Sequence, residues 1–221
     1  MQESVLNYIR AQLHEGQLKD KTVLEVGSYD RNGSARQHII DMGSKTYTGV
    51  DLELGPCVDE ICNAEDVVKR FGENAFDVVI STEVVEHVRD WRTVVENLKR
   101  VVKPGGLLLV TTRSRGFNYH AFPTDYWRYE VSDMREIFAD FDIVDVSDDP
   151  GPPGVFVIAK KPTEPRPAVD LSQIALYCII VGGRVLDFTP AQARTWKIEW
   201  VVRRAMGRLF PKRKAQWTEV L

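Results

Sequence analysis

The sequence predicts an α/β domain on a mostly parallel sheet, followed by a helical extension of opposite charge. Three observations carry that prediction. Short apolar segments alternate with helically patterned ones along most of the chain, the pattern of a parallel sheet covered on both faces. The 221 residues suffice for one full domain of this class and an appendage, with ample core. The net charge of −3 divides unevenly: residues 1–162 hold 19 Lys+Arg against 27 Asp+Glu, and residues 163–221 hold 10 against 5. With 43% hydrophobic and 28% charged residues, wholesale disorder is excluded.

The elements follow in order. Val5, Leu6, Ile9 and Leu13 stand at helical spacing in residues 4–13. Residues 22–26 (TVLEV) form a buried-strand pattern closed by Gly27. A helix pattern starts at Ser34 and stops at Gly43. Residues 46–50 make a second strand ending at Asp51, 64–71 a short helix, and 76–80 (FDVVI) a third strand. Val94, Val95, Leu98, Val101 and Val102 make a helical stripe, broken by Pro104-Gly105-Gly106 before a strand at 107–110. Residues 141–146 and 155–159 are joined only by DDPGPPG, so they are expected to pair antiparallel at the sheet edge. Pro162, Pro165 and Pro167 then mark a stiff connector. The expected division is a domain over 1–162 and an extension over 163–221.

In the extension, Thr189-Pro190 is a good helix start. Trp196, Ile198, Trp200, Val201, Val202, Ala205 and Leu209 give an apolar side. Arg194, Lys197, Arg203, Arg204, Arg208, Lys212, Arg213 and Lys214 face only Glu199 and Glu219 as opposing charges. Such a helix suits an anionic membrane, a nucleic acid, the acidic body or a second copy of the chain, as a homodimer. The longest apolar run, 174–181, is too short to span a bilayer, and MQESVLNYIR has no basic region before an apolar block. Cys57, Cys62 and Cys178 fit no zinc spacing and read as free thiols. A cytoplasmic protein is expected.

Ligands of open α/β sheets bind beyond the carboxyl ends of the strands. Here the first strand runs into Glu25-Val26-Gly27-Ser28-Tyr29, and Gly27 allows close backbone approach. Asp51, 24 residues after Gly27, suits the two hydroxyls of a ribose. Tyr29 and Asn32 stand where a G-x-G-x-x-G fingerprint has glycines, so a redox dinucleotide is disfavoured.

VLEVGS (23–28), GVD (49–51), FDVVISTEVVEHV (76–88) and LKRVVKPGGLLLVTT (98–112) occur in one order. As a set, over residues 20–162, this resembles the class I S-adenosylmethionine-dependent methyltransferases of the type 11 group. The resemblance implies a Rossmann-like, mostly parallel seven-stranded sheet with one antiparallel edge strand. It implies S-adenosylmethionine as cofactor, with Glu25, Gly27 and Ser28 at the methionine end, Asp51 on the ribose and Leu52 against the adenine. It places Asn63 and Ala64 at the adenine edge, where relatives have Asp-Ala, and Glu83 near the sulfonium.

Residues 83–87 read Glu-Val-Val-Glu-His. On a helix, Glu83, Glu86 and His87 share an arc of about 100°. Two carboxylates and an imidazole there can hold magnesium or manganese, and a bound cation lowers the pKa of an acceptor hydroxyl. Glu83 and Glu86 equally suit a helix start. The pattern resembles that of metal-dependent small-RNA 2′-O-methyltransferases and ubiquinone-pathway O-methyltransferases, and in the former a later histidine completes the site. His120 stands where that histidine is expected. Glu83, Glu86 and His87 are thus the expected catalytic residues, and with His120 the expected metal ligands.

The segment Tyr119 to Tyr129 is unusually aromatic. Aromatic faces stack on sugar rings or bases and an arginine grips phosphate or carboxylate, so His120, Tyr126, Trp127 and Arg128 are expected to bind the acceptor. The DYWR segment also resembles one in methyltransferases accompanying glycan biosynthesis, which implies a sugar hydroxyl. Packing as a cap is the competing role for Trp127 and Phe122. The resulting expectation is an O-methyltransferase acting on a sugar-containing or polyol small molecule. A nucleic-acid 2′-O-methyltransferase is the alternative, disfavoured by the acidic body, and a non-catalytic binding module a third.

Overall fold

The computed structural model describes residues 2–120 and 124–209. Ten strands, β1 (Thr22–Val26), β2 (Thr46–Asp51), β3 (Glu60–Ile61), β4 (Phe76–Thr82), β5 (Val102–Arg113), β6 (Trp127–Arg128), β7 (Asp142–Asp148), β8 (Gly154–Lys160), β9 (Leu176–Cys178) and β10 (Gly183–Val185), make two sheets. The helices are α1 (Glu3–Gln12), α2 (Glu15–Leu18), α3 (Arg36–Asp41), α4 (Val67–Phe71), α5 (Trp91–Val101), α6 (Val131–Ile137) and α7 (Pro190–Leu209).

The main sheet has the order β3-β2-β1-β4-β5-β8-β7. Strands β3 through β5 run parallel, and β8 runs antiparallel to both β5 and β7. The short Gly-Pro connection between β7 and β8 forces that reversal at the sheet's edge, as the sequence predicts. The central strands β1, β4, β5 and β8 are largely apolar because each is buried on both faces. Val78, Ile80 and Leu109 pack toward Val5, Ile9 and Ile39 of α1 and α3. Val79, Leu108 and Val110 pack on the other face, against Val94, Val95, Leu98 and Val101 of α5. The Asp90 side chain caps α5 by accepting from the Thr93 N–H at 3.3 Å.

Chain connections lead away in opposite directions from β1 and β4, so these neighbours are where the strand order reverses. Their carboxyl ends therefore open a crevice. The second sheet, β10-β9-β6, is tied to the carboxyl end of β5, where the Tyr129 N–H just after β6 donates to the Arg113 carbonyl at 3.0 Å. Leu171, Ile174, Leu176, Cys178 and Phe188 belong to the main core. Arg92 clamps this part of the chain by donating to the carbonyls of Leu171 and Ile174, both at 2.7 Å. The three cysteines are free.

Thr189 caps α7 as expected: its hydroxyl accepts from the Gln192 N–H at 3.2 Å. Trp196 and Trp200 meet Tyr119 with ring centroids 4.6 and 5.2 Å away. The expectations for Phe122, Lys212, Arg213, Lys214 and Glu219, and for the side chains of Arg203, Arg204, Ala205, Arg208 and Leu209, lie outside the described residues. Among the described residues, no helix is long and apolar enough to cross a membrane.

Candidate active site

A cavity of about 840 Å³ opens at the carboxyl ends of β1, β2 and β4. Glu25, Gly27, Ser28, Asp51, Leu52, Asn63, Ala64, Glu83, His87, His120 and Tyr126 line it, so most expected site residues meet in one place.

One half is built by the β1 and β2 ends. Gly27 has φ +83°, and a Cβ there would lie 2.2 Å from Val84 Cγ2. Only glycine serves, on both counts. The N–H groups of Gly27 and Ser28 both donate to the Val50 carbonyl, at 2.9 and 3.1 Å, which draws the loop across β2. Asp51 is held at both oxygens, by the Tyr29 N–H at 3.0 Å and the Leu52 N–H at 2.7 Å. Each oxygen keeps lone pairs for a ligand. Tyr29 lies against Gly55, where a Cβ would stand 2.2 Å from its ring, and forms part of the wall of the crevice, which stays open beside it. Asn63 caps the next turn, its Oδ1 accepting from the Glu65 N–H at 3.1 Å. Leu52 is 61% exposed, an apolar face beside this half.

Glu25 is the chemically costly residue here. It is 1% exposed, with the Tyr47 hydroxyl donating to it. Burial pushes its carboxyl up to about 7, against the opposing pull of Tyr47 and Arg36. The Ser28 hydroxyl is buried without a hydrogen-bond partner among the described residues.

The other half gathers charged groups. Glu83 is not on a helix, contrary to the sequence expectation. It follows β4 with φ +59°, and the helical turn begins only at Val85–His87. Its N–H donates to Thr111 O at 2.9 Å and its carboxylate pairs with Arg113. Arg113, 2% exposed, also reaches Asp149 at 3.4 Å and lies over the Phe117 ring at 4.4 Å. Burial first, then the Glu86 charge, raise the Glu83 carboxyl to about 7. Glu86 is fully buried, which raises its carboxyl too. Its Oε2 accepts from Thr112 at 2.7 Å, and its Oε1 has no hydrogen-bond partner among the described residues.

The two histidines aim at that vacant oxygen. His87 Nδ1 meets the Thr124 carbonyl, so Nδ1 carries the hydrogen and Nε2 keeps its lone pair. His120 Nδ1 meets Asp125 Oδ2 at 2.9 Å, with the same consequence. The Nε2 atoms lie 3.9 Å (His87) and 3.8 Å (His120) from Glu86 Oε1. Burial lowers the His87 pKa and favours the neutral ring. Asp125 is buried. Hydrogen bonds from Arg128 and His120 outweigh that burial and hold its carboxyl well below the usual range.

Two expectations are corrected. Trp127 and Arg128 do not line the cavity; they are 0% and 1% exposed. Trp127 Nε1 donates to Val88 O at 3.1 Å, and Arg128 grips Asp125 at 2.6 and 2.8 Å. Tyr126 N–H and Tyr129 Oη donate to the carbonyls of Glu86 and Val85 at 2.8 and 3.2 Å. The segment is scaffold for the histidine pair. Glu83 likewise stands outside the donor cluster, which among the described residues comprises Glu86, His87 and His120, within 4.8 Å of one another. The sequence reading missed Arg113, whose signal was only a lone cation ending an apolar strand.

Residues 24–110 match the family model described as Methyltransferase domain. That match runs from β1 into β5, and the sheet around it has the Rossmann-like fold of solved S-adenosylmethionine-dependent methyltransferases. A solved structure similar to it is a Burkholderia thailandensis 1,6-didemethyltoxoflavin-N1-methyltransferase with bound S-adenosylhomocysteine, at TM-score 0.59 and 18% identity over 72% of this chain and 79% of that one. A putative S-adenosylmethionine-dependent methyltransferase from Listeria monocytogenes has TM-score 0.57 at 15% identity, covering 72% of this chain and 98% of that one. The domain is also similar to ubiquinone biosynthesis O-methyltransferases. That of Parvibaculum lavamentivorans is 34% identical over 35% of this chain and 30% of that one. That of Pseudomonas syringae pv. tomato is 32% identical over 48% of this chain and 50% of that one. The chain thus spans about half or less of the length of these two relatives.

Proposed function

We propose that the protein is an S-adenosylmethionine-dependent O-methyltransferase of a small molecule bearing neighbouring hydroxyls, as sugars and other polyols do, and that a divalent cation assists it. The residues present fit the cofactor. The crevice lies at the strand-order reversal, Gly27 lets backbone approach, and the partnerless Ser28 hydroxyl awaits a polar group. Glu25, Asp51 and Glu83 line it with carboxylates, which suits a ligand carrying positive sulfur and nitrogen. When bound, that cofactor supplies a methyl group already activated by its sulfonium.

The chain's residues then have two tasks. Gly27, Ser28, Asp51 and Leu52 bind and orient the donor; such positioning is where most of the rate gain of a bimolecular transfer arises. His87 and His120 line the acceptor side of the cavity, with the fully buried Glu86 behind them. The single observation that carries the metal is the vacant Glu86 Oε1 between two Nε2 lone pairs, each histidine fixed through its Nδ1. Metal-binding histidines almost always donate their other ring N–H in this way. A cation held there would supply Lewis acidity to an acceptor oxygen, and neighbouring hydroxyls are the oxygen donors such ions prefer. Phe117 and Tyr126 give the cavity aromatic walls suited to a ring.

The test is label transfer from S-adenosylmethionine to a panel of vicinal diols, catechols and their mono-blocked forms. Expected is transfer to the unblocked forms, lost in EDTA and restored by magnesium or manganese. Transfer indifferent to EDTA removes the cation. No transfer to any hydroxyl, with cofactor still bound, removes the O-methyltransferase reading.

A further inference from the structure

We infer that α7 seats the protein on an anionic lipid surface beside the mouth of the cavity. The inference stands apart from the methyl-transfer reading. Trp196 and Trp200, four residues apart, occupy one side of α7 and pack on Tyr119. Tyr119 sits between Phe117 and His120, both of which line the cavity, so α7 rides on its rim. At about 100° per residue, Ile198, Val201 and Val202 fall on the opposite side. They are 66%, 52% and 49% exposed. The helix has thus spent its aromatic face on the body and turned an aliphatic stripe outward.

Charge selects the occupant. Arg194 within that stripe and Lys197 on one flank are exposed, against Glu199 on the other flank. Residues 163–221 carry five more basic than acidic residues, whereas residues 1–162 carry eight more acidic than basic ones. A phosphate-bearing surface attracts the first and repels the second, which orients the molecule with α7 down. An apolar stripe in a segment of net positive charge lies in such an interface. A symmetric dimer through the same stripe is disfavoured, because it brings two segments of net positive charge together and leaves the opposite charge of the body unmatched. Nor does α7 cross the bilayer: it is not apolar enough.

The test is co-sedimentation of the full chain with vesicles of phosphatidylcholine alone and of phosphatidylcholine mixed with phosphatidylglycerol. Expected is binding to the mixed vesicles only, weakened by salt. Ile198→Glu with Val202→Glu should abolish it. Arg194→Glu with Lys197→Glu, a purely surface change, should weaken it about tenfold or more. Neither pair should alter S-adenosylmethionine affinity by calorimetry, and this also reports folding. Three results each overturn the inference: no preference for mixed vesicles, binding that survives both double substitutions, or a lipid-free dimer by light scattering that Ile198→Glu with Val202→Glu dissolves.

Discussion

Replacing Glu25 by Gln should make the unliganded protein more stable while weakening cofactor binding. Glu25 is 1% exposed, and burial raises its carboxyl from 4.5 to about 7. An acid whose folded pKa is raised contributes stability that is fully present below about pH 4.5 and lost as pH rises through about 7. At pH 8 the ionised carboxylate therefore costs about 3 kcal/mol. Gln keeps an oxygen to accept from Tyr47 and removes the charge. Glu25→Gln should thus raise the unfolding free energy at pH 8 by up to about 3 kcal/mol, a midpoint gain of roughly 6–12 °C at this size. At pH 5, where folded Glu25 is largely protonated, the gain should fall to about 1 kcal/mol or less. Thermal unfolding at both pH values, followed by titration with S-adenosylmethionine, checks the argument. The reasoning fails if the variant is less stable at pH 8, or if the gain is equal at both pH values. Unchanged cofactor affinity would remove the cationic-ligand rationale for tolerating the charge.

Further outcomes follow from single contacts. Gly27→Ala meets both a φ of +83° and Val84 Cγ2 at 2.2 Å, so a loss of about 2–5 kcal/mol is expected. Adding Val84→Ala should recover the steric part only, as urea unfolding would show. Asp125→Ala leaves Arg128 buried and uncompensated, for a cost of about 3–5 kcal/mol. Adding Arg128→Met should return much of it, and a double variant no better than the single would refute the pairing. His120→Ala should abolish manganese binding by calorimetry while sparing cofactor binding, because His120 Nε2 is one of three converging donors. Undiminished manganese binding would count against the triad.

The centre of the sheet was legible because its strands are apolar on both faces, so TVLEV and FDVVI announce themselves without any knowledge of partners. The strand reversal was legible in the short β7–β8 connection. Gly27 and Asp51 were legible because position relative to a strand end is a local property. Orientation across the fold was not. Glu83 sat in the right string, yet its left-handed backbone sends it to Arg113 and away from Glu86. Trp127 and Arg128 have the composition of a binding face, but Val88 and Asp125 claim their polar atoms. Where residues 163–188 attach was equally hidden, since it depends on β9 pairing with two residues of β6 and on the Arg92 clamp. Charge asymmetry identifies the segment but not its seat.

The central claim is that the crevice beyond β1 and β2 grips a sulfonium nucleoside through Asp51. Calorimetric titration of the protein and of Asp51→Ala with S-adenosylmethionine addresses it directly. One-site binding is expected for the natural sequence and a loss of ten-fold or more, about 1.4 kcal/mol or beyond, for the variant. Equal binding by both, or none by the natural sequence, would contradict it.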